Sequence, residues 1–240
     1  MRSNGRKFNE LRNIKVIPAV QRDPMGSVMI QWGNTHVICA VQVDEKVPNW
    51  MGPKPTGWIT AEYGMLPGCS DKRIHRDKIR STGRTHEIQR LIGRSIRAAV
   101  ELKSVGMRTF QIDCDVVQAD GGTRVASITG GYLALRLALF RLKEKKLIDR
   151  IPETKMVSAV SIGKIESELL LDLDYSEDVR AEVDSNVVMN DRGEFIEIQG
   201  TAEKGSFARE DFNKMIDLAT DGCQQLFEIQ KRYLKEWGIA

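Results

Sequence analysis

Cysteine is sparse in this sequence and never clustered. Cys39, Cys69, Cys114 and Cys223 lie far apart, and none belongs to a Cys-x-x-Cys pair, so the spacing argues against a zinc site. Cys39 and Cys114 fall in alternating apolar stretches and read as small buried thiols. The three histidines, His36, His75 and His86, show neither metal-ligand nor triad spacing. The seven prolines are scattered, and no Gly-, Ser- or Pro-rich run marks a linker, so a single domain over residues 1–240 is expected. Charge interrupts the apolar stretches short of a bilayer span. The opening Met1-Arg2-Ser3-Asn4-Gly5-Arg6 lacks the apolar core of a signal peptide. The chain is therefore expected to be soluble and cytoplasmic, with no membrane partner.

What is present suits one compact α/β body: 240 residues, 41% hydrophobic and 29% charged. The net charge of +3 says little, but its distribution says more. Between Asp71 and Arg97, nine basic residues face only three acids. Such a window either attracts a polyanion or forms a solvated helix face with its own salt bridges, and charge alone leaves both open.

Hydrophobic periodicity places the elements. Ser27–Val43 reads as two strands around a Gly33-Asn34 turn, and Trp58–Met65 as a short strand. Cys69–Gly83 is polar, basic and aperiodic, hence an exposed loop. His86–Leu102 carries a helical stripe of Ile88, Leu91, Ile92, Ile96 and Ala99, with Thr85 as its expected N-cap and Arg90, Arg94 and Arg97 sharing another face. Thr109–Val117 alternates as a strand, then Ala119–Arg124 breaks it before a long apolar helix. In the second half, Met156–Ile165 and Glu168–Asp174 read as strands. Asn186–Asn190 and Glu194–Gln199 flank a turn at Asp191-Arg192-Gly193, and Phe207–Trp237 is a long amphipathic helix.

Three groups of residues could carry chemistry. Gly121-Gly122-Thr123-Arg124 sits between a strand and a helix, where backbone N–H groups and the helix dipole favour an anion; the spacing is neither a Walker A nor a dinucleotide fingerprint. Arg84 precedes a helix and offers a two-pronged fork for phosphate oxygens. The acids Asp172, Asp174, Glu177, Asp178, Glu182 and Asp184 could hold Mg²⁺ or supply a proton. Each group has an ordinary alternative: a plain turn, a surface arginine, a charged loop.

Together these segments resemble the ribonuclease PH family of phosphorolytic 3′ exoribonucleases. The matching runs are Gly57–Pro67, Gly83–Thr85 with Glu87–Arg94, Asp113–Arg124 with Ala126–Gly130, Leu171–Tyr175, Glu177-Asp178, Ala181–Asp184 and Gln199–Glu203. The resemblance implies an α/β (α+β) fold of two βαβ-like halves, with mixed sheets and packed helices. It implies a homo-oligomeric ring, a hexamer built as a trimer of dimers. It also implies 3′ trimming of RNA, chiefly tRNA precursors, by inorganic phosphate as co-substrate with Mg²⁺ required, and the reverse addition of nucleotides. Carried over by position, Arg84, Gly122, Thr123 and Arg124 would bind phosphate. Asp178 and Asp184 would be the catalytic pair and the metal ligands. Arg73, Arg76 and Arg90 would contact RNA or a neighbouring subunit. The opening Arg2–Arg6 and Gly68 depart from the family's usual residues, in segments expected to face RNA or another subunit. A non-catalytic RNA-binding subunit and a small-molecule phosphotransferase are the competing readings. The first predicts RNA binding without turnover, and the second a flat response of binding to salt.

Overall fold

The computed structural model describes residues 2, 5–52, 55–75 and 82–239. A five-stranded sheet is built from β1 (Ile14–Pro18), β2 (Gly26–Trp32), β3 (Thr35–Asp44), β4 (Trp58–Met65) and β5 (Thr109–Gln118). Its spatial order is β1-β2-β3-β5-β4. Every pair is antiparallel except β4 with β5, which run parallel. Parallel neighbours need a crossover, and α1 (Gly83–Arg97) supplies it. Then α2 (Thr123–Glu144) leads to the second sheet, in which β6 (Val157–Ile165), β7 (Glu168–Leu171), β8 (Val183–Asn190) and β9 (Phe195–Ala202) lie in the order β7-β6-β8-β9. All its pairs are antiparallel. β7 and β8 nevertheless run the same way on either side of β6, joined through the single-turn helix α3 (Tyr175–Asp178), so the second half is a split βαβ unit. α4 (Arg209–Glu236) closes the outer face of this sheet.

The core follows from period. Phe110, Ile112, Cys114 and Val116 alternate along β5 and are all buried, as are Val37, Cys39 and Val41 opposite them on β3. α2 is apolar on every side because it is covered on every side: β2 and β3 flank it on one side and β6 on the other. By length and mean hydropathy this helix passes for a membrane span, which the sequence reading did not anticipate. With 83% of the relevant window buried, its apolarity belongs to the core. One continuous cluster of buried residues runs from Ile14 to Ile239 through both sheets.

Boundaries shift where local capping outweighs periodicity. The cap of α1 is Thr82, whose side chain accepts a hydrogen bond from the Thr85 N–H, so the expected cap, Thr85, lies inside the helix and is buried. The helix stops at Arg97, and Leu102 begins a separate 3₁₀ turn. β7 ends at Leu171 because Asp172 takes a left-handed conformation, φ +57°, which strand pairing does not accommodate. β1 escaped the sequence reading: Ile14–Pro18 is short, and its apolar residues are interrupted by Lys15.

The most heavily bonded polar group is the fully buried carboxylate of Asp172. It accepts from the backbone N–H of Arg12 at 2.7 Å, the Arg12 guanidinium at 2.6 Å and the Trp32 indole N–H at 2.8 Å. Arg6 lies 3.3 Å from the same carboxylate. Beside it, Arg2 grips Glu177 through its Nε and Nη2, each at 2.7 Å. Burial alone would depress the Arg12 guanidinium, but the charge and hydrogen bonds of Asp172 outweigh it and hold its pKa up. The opening segment was expected to face RNA or a neighbouring subunit; Arg2 and Arg6 instead turn inward onto these acids.

Removing one partner of a buried ion pair strands the other. Asp172→Ala is expected to lower unfolding free energy by about 3–5 kcal/mol, read as a shift in denaturation midpoint at unchanged m. Truncating the half-exposed Arg94, paired with Glu197, should cost under about 1 kcal/mol. Equal losses from the two would show that Asp172 has no special structural role.

Candidate functional site: one cleft between the two sheets

A cleft of about 1020 Å³ runs along the junction of the two halves. One wall is the glycine turn. β5 ends at Gln118, and Gly121 and Gly122 both take positive φ, +73° and +66°, delivering the chain into α2 at Thr123. A Cβ on Gly121 would lie 2.6 Å from the Leu173 carbonyl oxygen and 2.9 Å from the Tyr175 nitrogen. Only glycine allows this contact, and through it the turn rests directly on the segment that enters α3. Asp120 reinforces the junction by accepting from the Tyr175 N–H at 3.2 Å. Arg12 spans the same gap, donating to the Asp120 carbonyl on one side and to Asp172 on the other.

The cleft gathers Arg84, Gly122, Thr123, Arg124, Asp178 and Asp184, with Arg73 at its edge. Arg84 does not precede α1, as expected from the sequence, but occupies its first turn and is exposed. Tyr63 Oη lies 2.8 Å from Thr123 Oγ1, which fixes where that hydroxyl points. Arg124 reaches Gln199 at 3.1 Å and Glu87 at 3.5 Å, tying the start of α2 to β9 of the second sheet and to α1. Arg90, also exposed, does not line the cleft, and Arg76 falls outside the described residues. Two other arginines of the basic window are engaged within the chain. Arg94 pairs with Glu197 at 2.5 Å, and Arg97 donates to the Ile59 carbonyl while stacking 4.5 Å over Trp58. The shared basic face therefore reduces to Arg90.

The acidic segment divides by role. Asp172 and Glu177 are buried against arginines. Asp174 caps α3 in a reciprocal box with Glu177; although burial pushes its carboxyl up, hydrogen bonds from Ser176 and the Glu177 backbone with the charges of Arg6 and Arg12 hold it below the ordinary range. Only Asp178 and Asp184 of the six carboxylates open into the cleft. Enclosure raises the Asp178 carboxyl, against the pull of Arg84 and Arg124. Asp184 is raised first by burial and then by the charge of Asp178, with Arg124 and Arg84 opposing and Glu203 adding. The two arginines and two aspartates are thus within one another's fields.

Among the described residues, no group of three or more His, Cys, Asp or Glu side chains converges as a metal cage. A pair of carboxylates beside an open, wet cleft does suit Mg²⁺, which takes few protein ligands and keeps several waters. Burial raises both carboxyls, so each ionises at a cost that a bound cation would offset.

Tyr63, Glu87, Gln199 and Glu203 were not singled out from the sequence. All four lie within the matching runs, but no spacing rule links residues so far apart in the chain.

Comparison with known proteins gives a consistent result. The profile described as "3′ exoribonuclease family, domain 1" matches residues 10–140, and that of domain 2 matches residues 155–222. Ribonuclease PH of Bdellovibrio bacteriovorus is 50% identical over 98% of this chain and 97% of its own. Ribonuclease PH of Dehalococcoides mccartyi is 48% identical over 96% of each. Among solved structures, rice (Oryza sativa) Rrp46 superposes with a TM-score of 0.79 at 18% identity, covering 97% of this chain and 100% of that one. A chain of the Archaeoglobus fulgidus exosome with RNA bound to the active site gives 0.80 at 19%, covering 95% and 91%. The two solved structures share the fold; the matching profiles and the close relatives settle the family, and this chain belongs to the ribonuclease PH family of 3′ exoribonucleases.

Proposed function

We propose that this cleft shortens RNA from its 3′ end by phosphorolysis. An oxygen of orthophosphate forms a bond to the phosphorus of the last phosphodiester. The bond from that phosphorus to the 3′ oxygen breaks, and the terminal nucleotide leaves as a nucleoside diphosphate. The shortened strand keeps its 3′ oxygen and gains a proton. One phosphate linkage is exchanged for another, so the reverse reaction, addition of nucleotides from diphosphates, uses the same groups.

The observation that carries the reading is the meeting of the Arg84–Thr123–Arg124 wall with the Asp178–Asp184 pair in one cleft. Arg84 holds orthophosphate through its fork, Thr123 donates its hydroxyl and the Gly122 turn brings N–H groups close. Arg124, already fixed by Gln199 and Glu87, adds charge without having to be ordered. Asp184, the more enclosed acid, retains a proton more readily than an ordinary carboxyl; it would either give that proton to the departing oxygen or, once ionised, share Mg²⁺ with Asp178. Asp178 would hold Mg²⁺, which when bound neutralises phosphate oxygens. Orthophosphate is a ready nucleophile, so positioning and charge do most of the catalysis.

The same proposal includes precursors of tRNA as the chief substrates, a single catalytic domain over residues 1–240, a hexameric ring built as a trimer of dimers, and action in the cytoplasm. Arg73 and Arg90 are assigned to RNA or to a neighbouring subunit; their exposure supports both.

RNA shortening should require added phosphate and release diphosphates, separable from monophosphates by chromatography. Equal shortening in phosphate-free buffer, with monophosphate products, would identify a hydrolase. Arg84→Ala should raise the KM for phosphate at least about tenfold, since a charged contact to substrate is lost; an unchanged KM removes Arg84 from the phosphate site.

The raised carboxyl of Asp184 also sets a pH dependence. Its folded pKa lies above its unfolded one, so the folded state binds the extra proton. The stabilisation is complete below the unfolded value, about 4, and is lost as pH rises through the folded value. Asp184→Asn should therefore be more stable than the parent at neutral pH, the gap closing as pH falls toward about 4, while turnover collapses. Melting curves across pH give the check, and a gap that widens on acidification would contradict the assignment.

A further inference from the structure

An exposed phenol ring in the cleft has no task in the chemistry above. Tyr175, the first residue of α3, is 57% exposed, and Val179, one turn later, is 64% exposed. Both line the cleft beside Asp178. Positions i, i+3 and i+4 of a helical turn share a face, so the phenol ring, the carboxylate and the valine present one surface to whatever enters. Among the described residues, the Tyr175 side chain has no hydrogen-bond or ring partner.

A single exposed hydrophobic residue is ordinary. The setting of this one is not. Its backbone N–H is held by Asp120 at 3.2 Å. Its nitrogen packs where a Cβ on Gly121 would come within 2.9 Å, and two residues later Glu177 is locked to Arg2. The ring therefore rises from a fixed backbone into the cleft that Arg84, Thr123 and Arg124 also line. A flat, unpartnered π face in the same cleft as the site proposed for a phosphodiester matches one ligand chemistry: a nucleobase joined to that phosphodiester through its ribose. Stacking on an aromatic side chain accepts any base, because every base has a π face. That tolerance is what an enzyme removing successive nucleotides requires.

We infer that Tyr175, with Val179 as an apolar edge, forms a stacking shelf for the base of the terminal or adjoining nucleotide of the RNA strand. The inference rests on the phosphorolytic reading for the identity of the substrate. It assigns Tyr175 to holding the strand, with no part in bond exchange, so its removal should weaken RNA binding and leave the phosphate requirement alone.

The test uses the full chain with a short RNA carrying 2-aminopurine at the last or the next-to-last position, a base whose fluorescence falls on stacking. In phosphate-free buffer, binding to the parent protein should quench one of the two probes, and which one identifies the nucleotide. Tyr175→Ala should restore the fluorescence at saturating protein. With phosphate added, the same variant should raise the KM for RNA roughly five- to a hundredfold and leave the KM for phosphate within about twofold. Tyr175→Phe and Tyr175→Trp should retain quenching and KM; Tyr175→Leu, apolar but not aromatic, should not. Parent-like RNA KM and quenching in Tyr175→Ala would overturn the inference. So would full rescue by leucine, or a weakened RNA KM accompanied by loss of the assembled species in light scattering, which would make Tyr175 a subunit contact. Quenching that depends on Tyr175 in a protein unable to shorten RNA keeps the shelf and removes phosphorolysis. Phosphate-dependent shortening with no effect of Tyr175→Ala does the reverse.

Discussion

The union of Arg12 with Asp172 holds the two halves of the molecule in working relation. Arg12 lies just ahead of β1, in the first half; Asp172 lies just past β7, in the second. Their 2.6 Å contact is fully enclosed, and neither charge could be tolerated there alone. Because Arg12 also donates to the carbonyl of Asp120, the same guanidinium sets the glycine turn against the loop that leads to Asp178. The cationic and acidic walls of the cleft are therefore joined by one side chain behind them. Without that tie, the two walls would be held by the more exposed bonds of Asp120 to the Tyr175 N–H and Arg124 to Gln199, and by the apolar contact of α2 with β6.

This arrangement explains how the carboxylates of one short stretch acquire opposite characters. Asp172, Asp174 and Glu177 meet arginines, hydroxyls and backbone donors; Asp178 and Asp184 meet one another. The first group spends its charge on structure. The second is enclosed beside the cleft with its carboxyls raised by burial, which costs stability and leaves them available to a cation or a proton. A local sequence count of acids cannot separate them, because the separating factor is which arginine, up to 175 residues away, turns inward.

Much of the fold was legible because burial imposes period. The β2–β3 hairpin, β4 from Trp58 to Met65, β5 with its alternating inner face, and the apolar stripe of α4 are where periodicity puts them. The site was less legible by physics alone. A glycine turn before a helix, one arginine and a run of acids are each common, and only long matching runs joined them. What stayed hidden was non-local. Tyr63 acts by reaching Thr123 across the parallel pair, Thr82 replaces Thr85 as a cap through one hydrogen bond, and Arg94 and Arg97 are drawn off the basic face by Glu197 and Trp58.

The pairing of Arg2 with Glu177 has a consequence for biosynthesis. The partners are separated by 175 positions, and ribosomes add about 5–20 residues per second. The amino end therefore waits roughly 9–35 s for its counter-charge to be made. During that interval the acid wall does not yet exist, and the turn at Gly121 has nothing to rest upon. The carboxylates proposed for the chemistry, Asp178 and Asp184, follow only after almost three quarters of the chain has been made, so the proposed site cannot be assembled before then.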